Sequence, residues 1–249
     1  MNREQLLQFD KETIIDTFMA IQDDAEERQR RQELRREIAK SEGEKKERRK
    51  KSAYFTMMEI DAIRELQLTD AEKYLLILLT PRMGKEGFIL GSKKEALNQV
   101  DILKLTGWKS ARYFRQILKC LVNKGLLSER ISGRNTNYKL MPQYFRKGKR
   151  ANKTRFIKII NEPLKALAIS VDAGALLFTA ALWLEYRTGF IVVDNQRIGQ
   201  SGLMSLIGWK RKDKINKVIT ELISKNVMVK VKVGRQYQYQ ISAEYCMNG

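Results

Sequence analysis

Five apolar positions with helical spacing occur at Phe114, Ile117, Leu118, Leu121 and Val122, and the spacing returns at Ile215, Val218, Ile219, Leu222 and Ile223. Both sets run i, i+3, i+4, i+7, i+8. At 3.6 residues per turn, that places all five on one buried helix face. The first predicted helix runs from Ser110 to Lys124. Each helix is preceded by the same short word, Leu105-Thr106-Gly107-Trp108-Lys109 and Leu206-Ile207-Gly208-Trp209-Lys210. The two tryptophans stand 101 positions apart, and Asp101–Leu105 reads as a further helix before the first turn.

The segment after each helix is repeated as well. Gly125 and Asn226 are the residue types that best tolerate the left-handed conformation ending a helix. Leu126–Ser132 and Val227–Val233 read as strands, Gly133 and Gly234 as turns, and Asn137–Met141 and Gln238–Ser242 as returning strands. The parallel extends upstream. Phe55, Ile63 and Leu66 match Phe156, Leu164 and Leu167, and Asp70-Ala71 matches Asp172-Ala173 after a one-residue slip. Thr69-Asp70 caps a predicted helix through Leu75, Leu76, Leu78 and Leu79, which stops near Pro81. Gly87–Leu90 reads as a short strand. A duplicated period near 100 residues means two units of one fold rather than a solenoid.

Helix, turn, helix and a hairpin with a basic tip resemble the winged helix. The resemblance implies that the second helix of each motif enters a DNA major groove while the wing reaches a flanking groove or the backbone. The residues off the buried face of the first such helix are Lys109, Ser110, Arg112, Tyr113, Arg115, Gln116 and Lys119. In the second they are Lys210, Arg211, Lys212, Lys214, Asn216 and Lys217. Arg and Gln form paired hydrogen bonds with guanine and adenine edges, whereas Lys mostly meets phosphate. Arg112, Arg115 and Gln116 are therefore the expected base readers of the first copy, and Arg211 and Asn216 those of the second. The wings offer Arg134 and Asn135, then Arg235 and Gln236. Trp108 and Trp209 read as core anchors of the turn, and packing alone accounts for Tyr138 and Tyr239. Both helix faces are almost free of acid, with Asp213 the main exception.

Charge sharpens this picture. The 249 residues carry 48 Lys plus Arg against 29 Asp plus Glu, a net of +19. Residues 1–51 hold 14 basic and 13 acidic side chains, so nearly all the excess sits on the repeated part. Such an excess points to a polyanion, nucleic acid first. The leading stretch has too few apolar residues to pack alone and reads as a charged arm, helical or disordered. The expected fold class is mainly α with small β-wings (α+β). Two winged-helix domains stand in tandem, 52–147 and 148–249, after the 1–51 arm. A basic connector, Arg146-Lys147-Gly148-Lys149-Arg150, joins them.

The longest apolar run, Ala173–Leu184, spans 12 residues. That is short of the roughly 20 a membrane helix needs, so it reads as a buried helix. Being apolar almost all round, it must be covered on both sides, by the other repeat or by a second subunit. Self-association is expected through this helix or through the arm. Cys120 and Cys246 make neither a zinc knuckle nor a disulfide framework, and both read as reduced thiols of a cytoplasmic protein. With no histidine, Ser-His-Asp and Cys-His machinery is excluded, and no phosphate-loop motif occurs. No enzymatic activity, cofactor or metal is expected.

Two such repeats in one chain resemble the plasmid and phage replication initiators that bind origin repeats. The resemblance covers about 55–246. It implies origin binding and melting without nicking, with host replication proteins as partners. A charged N-terminal region is not part of that family's pattern. A transcriptional repressor or activator using the same two helices is the rival reading, and a DNA-organising or partition protein a third.

Overall fold

Both repeats begin with a strand and end with one, and these four strands build one sheet. The computed structural model describes residues 55–133, 135–147, 155–234 and 236–248. The 1–51 arm, Arg134, Arg235 and residues 148–150 of the connector lie outside the described residues. The first repeat runs β1 (Phe55–Glu59), α1 (Ile60–Arg64), α2 (Asp70–Leu79), α3 (Gln99–Thr106) and α4 (Ala111–Asn123). It closes with β2 (Leu127–Ser132), β3 (Asn135–Leu140) and β4 (Phe145–Arg146). The second runs β5 (Phe156–Ile160), α5 (Asn161–Ala166), α6 (Val171–Ala181), a small hairpin of β6 (Val192–Val193) and β7 (Gln196–Arg197), then α7 (Gln200–Ile207) and α8 (Lys212–Ser224). It closes with β8 (Met228–Val233), β9 (Gln236–Ile241) and β10 (Cys246–Asn248). The class is mixed α+β.

The sheet order is β10-β5-β1-β4, antiparallel throughout. Its register carries an internal symmetry. At the centre Met57 pairs with Lys158, equivalent positions of the two repeats. Phe145 pairs with Met58 as Cys246 pairs with Ile159, and Arg146 with Met57 as Met247 with Lys158. A pseudo-twofold axis therefore passes through the Met57–Lys158 pair and relates the halves. The same axis relates α2 to α6, which pack against each other. The Thr56 hydroxyl of β1 lies 3.1 Å from both the Thr80 carbonyl just past α2 and Asn161 Oδ1 of α5, all three buried. The sheet thus sits at the carboxyl ends of the central helices.

α6 is the longest apolar run of the sequence, and every residue from Ala173 to Ala181 is buried. The contact with α2 inside the chain supplies its cover, so this helix keeps no free apolar face for a second subunit. Gly174 makes the close approach possible. A Cβ there would stand 2.5 Å from Cδ2 of Tyr74, itself buried. Ala173, the buried neighbour of Gly174, occupies the position of Glu72 in the first repeat, where the Glu completes a capping box with Thr69. The second repeat restores that carboxylate from elsewhere. Glu221 of α8 accepts bonds of 2.6 Å from both the backbone N–H and the hydroxyl of Ser170, the cap of α6. In the first repeat Lys124, at the end of α4, salt-bridges the buried Glu72 at 2.7 Å.

One core runs through both repeats, and the described residues from Phe55 to Asn248 belong to a single compact unit. The stretches expected as separate domains, 52–147 and 148–249, thus share a sheet and a core. Gly107 and Gly208 end α3 and α7 with φ of 67° and 79°, a left-handed turn open to glycine without steric cost. Gly125 and Asn226 adopt the expected left-handed conformation. Gly87–Leu90 differs from expectation. It makes isolated bridges to Met83, Lys139 and Ala96 rather than a regular strand, because its partners lie on three separate segments. Among the described residues, no helix is long and apolar enough to cross a membrane.

Two measurements test this core. Gly174→Ala gains helix propensity but overpacks the α2–α6 contact, so urea unfolding should show a net loss of about 1–2 kcal/mol. Burial pushes the Cys246 thiol up to about 12, and burial with the neighbouring Glu129 carboxylate does the same for the Tyr138 phenol. Folding therefore favours the protonated forms. Stability should hold to about pH 9 and fall as pH rises toward 12, and Cys246→Ala should delay the onset of that fall toward pH 10.

Candidate nucleic-acid interface

α4 is set by its cap and its stripe. Ser110 Oγ accepts from the Tyr113 N–H at 3.2 Å, and Phe114, Ile117, Leu118 and Leu121 are buried, with Val122 half-buried beside them. The opposite face carries Lys109, Ser110, Arg112, Tyr113, Arg115, Gln116 and Lys119, all exposed. Arg115 Nε donates to the Ala111 carbonyl of its own helix at 3.3 Å. Trp108 is half-buried among Tyr74, Tyr113 and Phe114, with ring centroids 5.9, 5.5 and 6.0 Å away. It anchors the turn, as expected of a core residue.

α8 has the same buried stripe of Ile215, Val218, Ile219 and Leu222. Its outer face is more committed to internal contacts. Lys210, Arg211, Lys212, Asn216 and Lys217 are exposed, but Arg211 holds Asp213 by two bonds of 3.2 and 2.5 Å. That pairing raises the Arg211 pKa and lowers that of Asp213. Asn216 Oδ1 accepts from Gln200 Nε2 at 2.5 Å. Lys214, expected to face DNA, is half-buried. Its ammonium lies 2.9 Å from Asp172 Oδ1 and 3.6 Å from Asp70 Oδ2, and 4.0 Å from the centre of the Trp209 ring. Trp209 Nε1 donates to Asp70 Oδ2 at 2.9 Å.

These contacts locate the two helices relative to the pseudo-twofold axis. The expected match of Asp70 with Asp172 is shifted by one position, because the caps Thr69 and Ser170 align and the slip falls in the loop after the helices. Both aspartates still lie in the first turns of α2 and α6, and one ammonium reaches both. The amino ends of α2 and α6 therefore lie side by side, at the pole away from the sheet. Lys214 belongs to the first turn of α8, and its equivalent in α4 is Tyr113, stacked near Trp108. The amino ends of α4 and α8 thus flank this pole from opposite sides of the axis. Each 13-residue helix is about 20 Å long.

Both hairpins are six-residue pairs in equivalent register. Asn135 and Gln236 are exposed beside the tip glycines, while the tip arginines Arg134 and Arg235 lie outside the described residues. Tyr138 and Tyr239 are buried and serve the core. Sequence reasoning passed over Lys230 and Lys232. Both are exposed on the hairpin face shared with Tyr237 and Tyr239, and the strict alternation Val229-Lys230-Val231-Lys232-Val233 was the available signal. A cleft of about 440 Å³ lies between this face and the amino ends of α7 and α8, lined by Lys212, Lys230, Gln236 and Tyr237. Among the described residues, no three Cys, Asp or Glu side chains converge as a metal-binding group.

No protein-family model matches the chain, and no curated protein sequence matches it significantly.

Lys214→Met should leave the two adjacent carboxylates at the pole with no ammonium between them. The expected cost is about 1 kcal/mol, read by urea unfolding, because all three groups are partly solvated. The loss should shrink in 1 M salt, where the repulsion between the carboxylates is screened. A loss that is independent of salt would assign Lys214 a packing role instead.

Proposed function

We propose that the chain binds double-stranded DNA through two winged-helix units, with one duplex lying across the pole that α4 and α8 flank. The observation that carries this reading is the exposed, acid-free outer face of α4 on one side of a pseudo-twofold axis, with a second basic helix end opposite it. A B-form duplex is itself dyad-symmetric, so two elements related in this way meet it in equivalent orientations. The +19 charge supports the same partner by favouring phosphate contact and fast association.

The process served is replication initiation of the plasmid or phage type, by binding origin repeats without strand cleavage. A transcriptional regulator is the second reading. The pseudo-twofold axis favours it, because operators commonly mirror the symmetry of the protein that binds them. Footprinting on the native replicon or promoter separates the two: several tandem sites support initiation, and a single inverted site supports regulation.

Selection of bound sequences from a random duplex pool at stated salt tests the binding itself. A reproducible motif is expected, with affinity falling steeply as salt rises. Arg112→Ala and Arg115→Ala should each reduce discrimination between motif and non-motif duplex by roughly 1–3 kcal/mol, as for a bidentate base contact. Failure to retain any duplex at low salt would sink the reading.

A further inference from the structure

The two helix faces are equivalent in position and both basic, but they differ in which side chains are left without a partner. Arg112 of α4 corresponds to Asp213 of α8, a cation replaced by an anion. Exposed Arg115 corresponds to Asn216, whose oxygen is engaged by Gln200. Exposed Tyr113 corresponds to Lys214, held between Asp70 and Asp172. Exposed Lys119 corresponds to Thr220. Of the side chains that pair bidentately with base edges, α4 therefore offers three without a competing acid, whereas Arg211 and Asn216 of α8 already have partners. An exposed Arg–Asp pair is weak and can open. Its aspartate would still face the acceptor-rich edges of guanine and the phosphates.

The hairpins show the reverse. Lys230 and Lys232 of the second stand where the first has Glu129 and Ile131. Glu129 is turned to the Tyr138 hydroxyl, whereas Lys230 lines the cleft beside Lys212 at the start of α8. The second wing thus carries two lysines at positions where the first has none, while its helix face keeps Lys210, Lys212 and Lys217 and loses the unpaired arginines. Lysine is a point charge suited to phosphate, and arginine a planar fork suited to base edges.

We infer a division of labour, which rests on the duplex-binding reading: the first repeat discriminates sequence through Arg112, Arg115 and Gln116, and the second holds the phosphate backbone through Lys210, Lys212, Lys230 and Lys232. The bound site then carries base information on one side of the protein's pseudo-twofold axis only. On the other side the duplex is covered without being read.

The test uses the full chain and three proteins: the wild type, a variant with Arg112, Arg115 and Gln116 changed to Ala, and a variant with the four lysines changed to Ala. All seven residues are exposed, and matched unfolding curves confirm that the variants fold. For the wild type, hydroxyl-radical protection should extend past the selected motif on one side. The first variant should lose the motif while binding random duplex within about threefold of the wild type. The second should keep the motif, bind all sequences at least tenfold more weakly, and lower the salt slope by up to roughly 0.9 per lost phosphate contact. A motif with information in both dyad-related halves overturns the inference. So does a lysine variant with altered preference, or a first-repeat variant that weakens all sequences equally. If the wild type retains no duplex at low salt, the duplex-binding reading fails, and the inference with it.

Discussion

The contact between α2 and α6 decides the rest of the structure. Two apolar helices without a common partner would each demand a cover, and here each covers the other. The approach is close because Gly174 leaves room for Tyr74, and beside it buried Ala173 stands where Glu72 caps the equivalent helix of the first repeat. Glu221, reaching from α8 to Ser170, restores a carboxylate at the cap. This polar contact at the rim ties an outer helix to the central pair. Lys124 and Glu72 make the corresponding tie in the first repeat.

That arrangement brings two aspartates together at the pole, and a basic surface has to accommodate them. Lys214 and the Trp209 N–H take this role, and Lys214 is thereby withdrawn from the outer face of α8. The hairpin of the same repeat carries Lys230 and Lys232. Internal electrostatics and external charge are therefore linked. The residue that neutralises the fold on one side is no longer free to meet a partner there.

Much of this was legible in the amino-acid order because its causes are local. The stripes of α4 and α8, the Thr69 cap, and the left-handed stops at Gly125 and Asn226 depend on neighbours within a turn or two. The four-stranded sheet was not, because Phe55–Glu59 and Phe156–Ile160 are five-residue runs whose pairing joins positions about 100 residues apart. The apolar run of α6 demanded a cover, but only the tertiary contact decides between the other repeat and a second subunit. The commitment of Lys214 was hidden for the same reason, since its carboxylates come from the starts of two other helices. Asp213 was visible as the exception on its face. The alternation through Lys230 and Lys232 was equally visible.

The central pairing of β1 with β5 also has a meaning for synthesis. While the first half alone has emerged from the ribosome, β1 has β4 on one side and an open edge on the other, next to an α2 surface still waiting for α6. Closure must wait for some hundred further residues, so the native topology is dominated by distant contacts and forms slowly. In that interval, two nascent chains on one messenger present each other with the surfaces each is missing. Exchange of halves between neighbouring polypeptides is the characteristic misassembly of such an architecture.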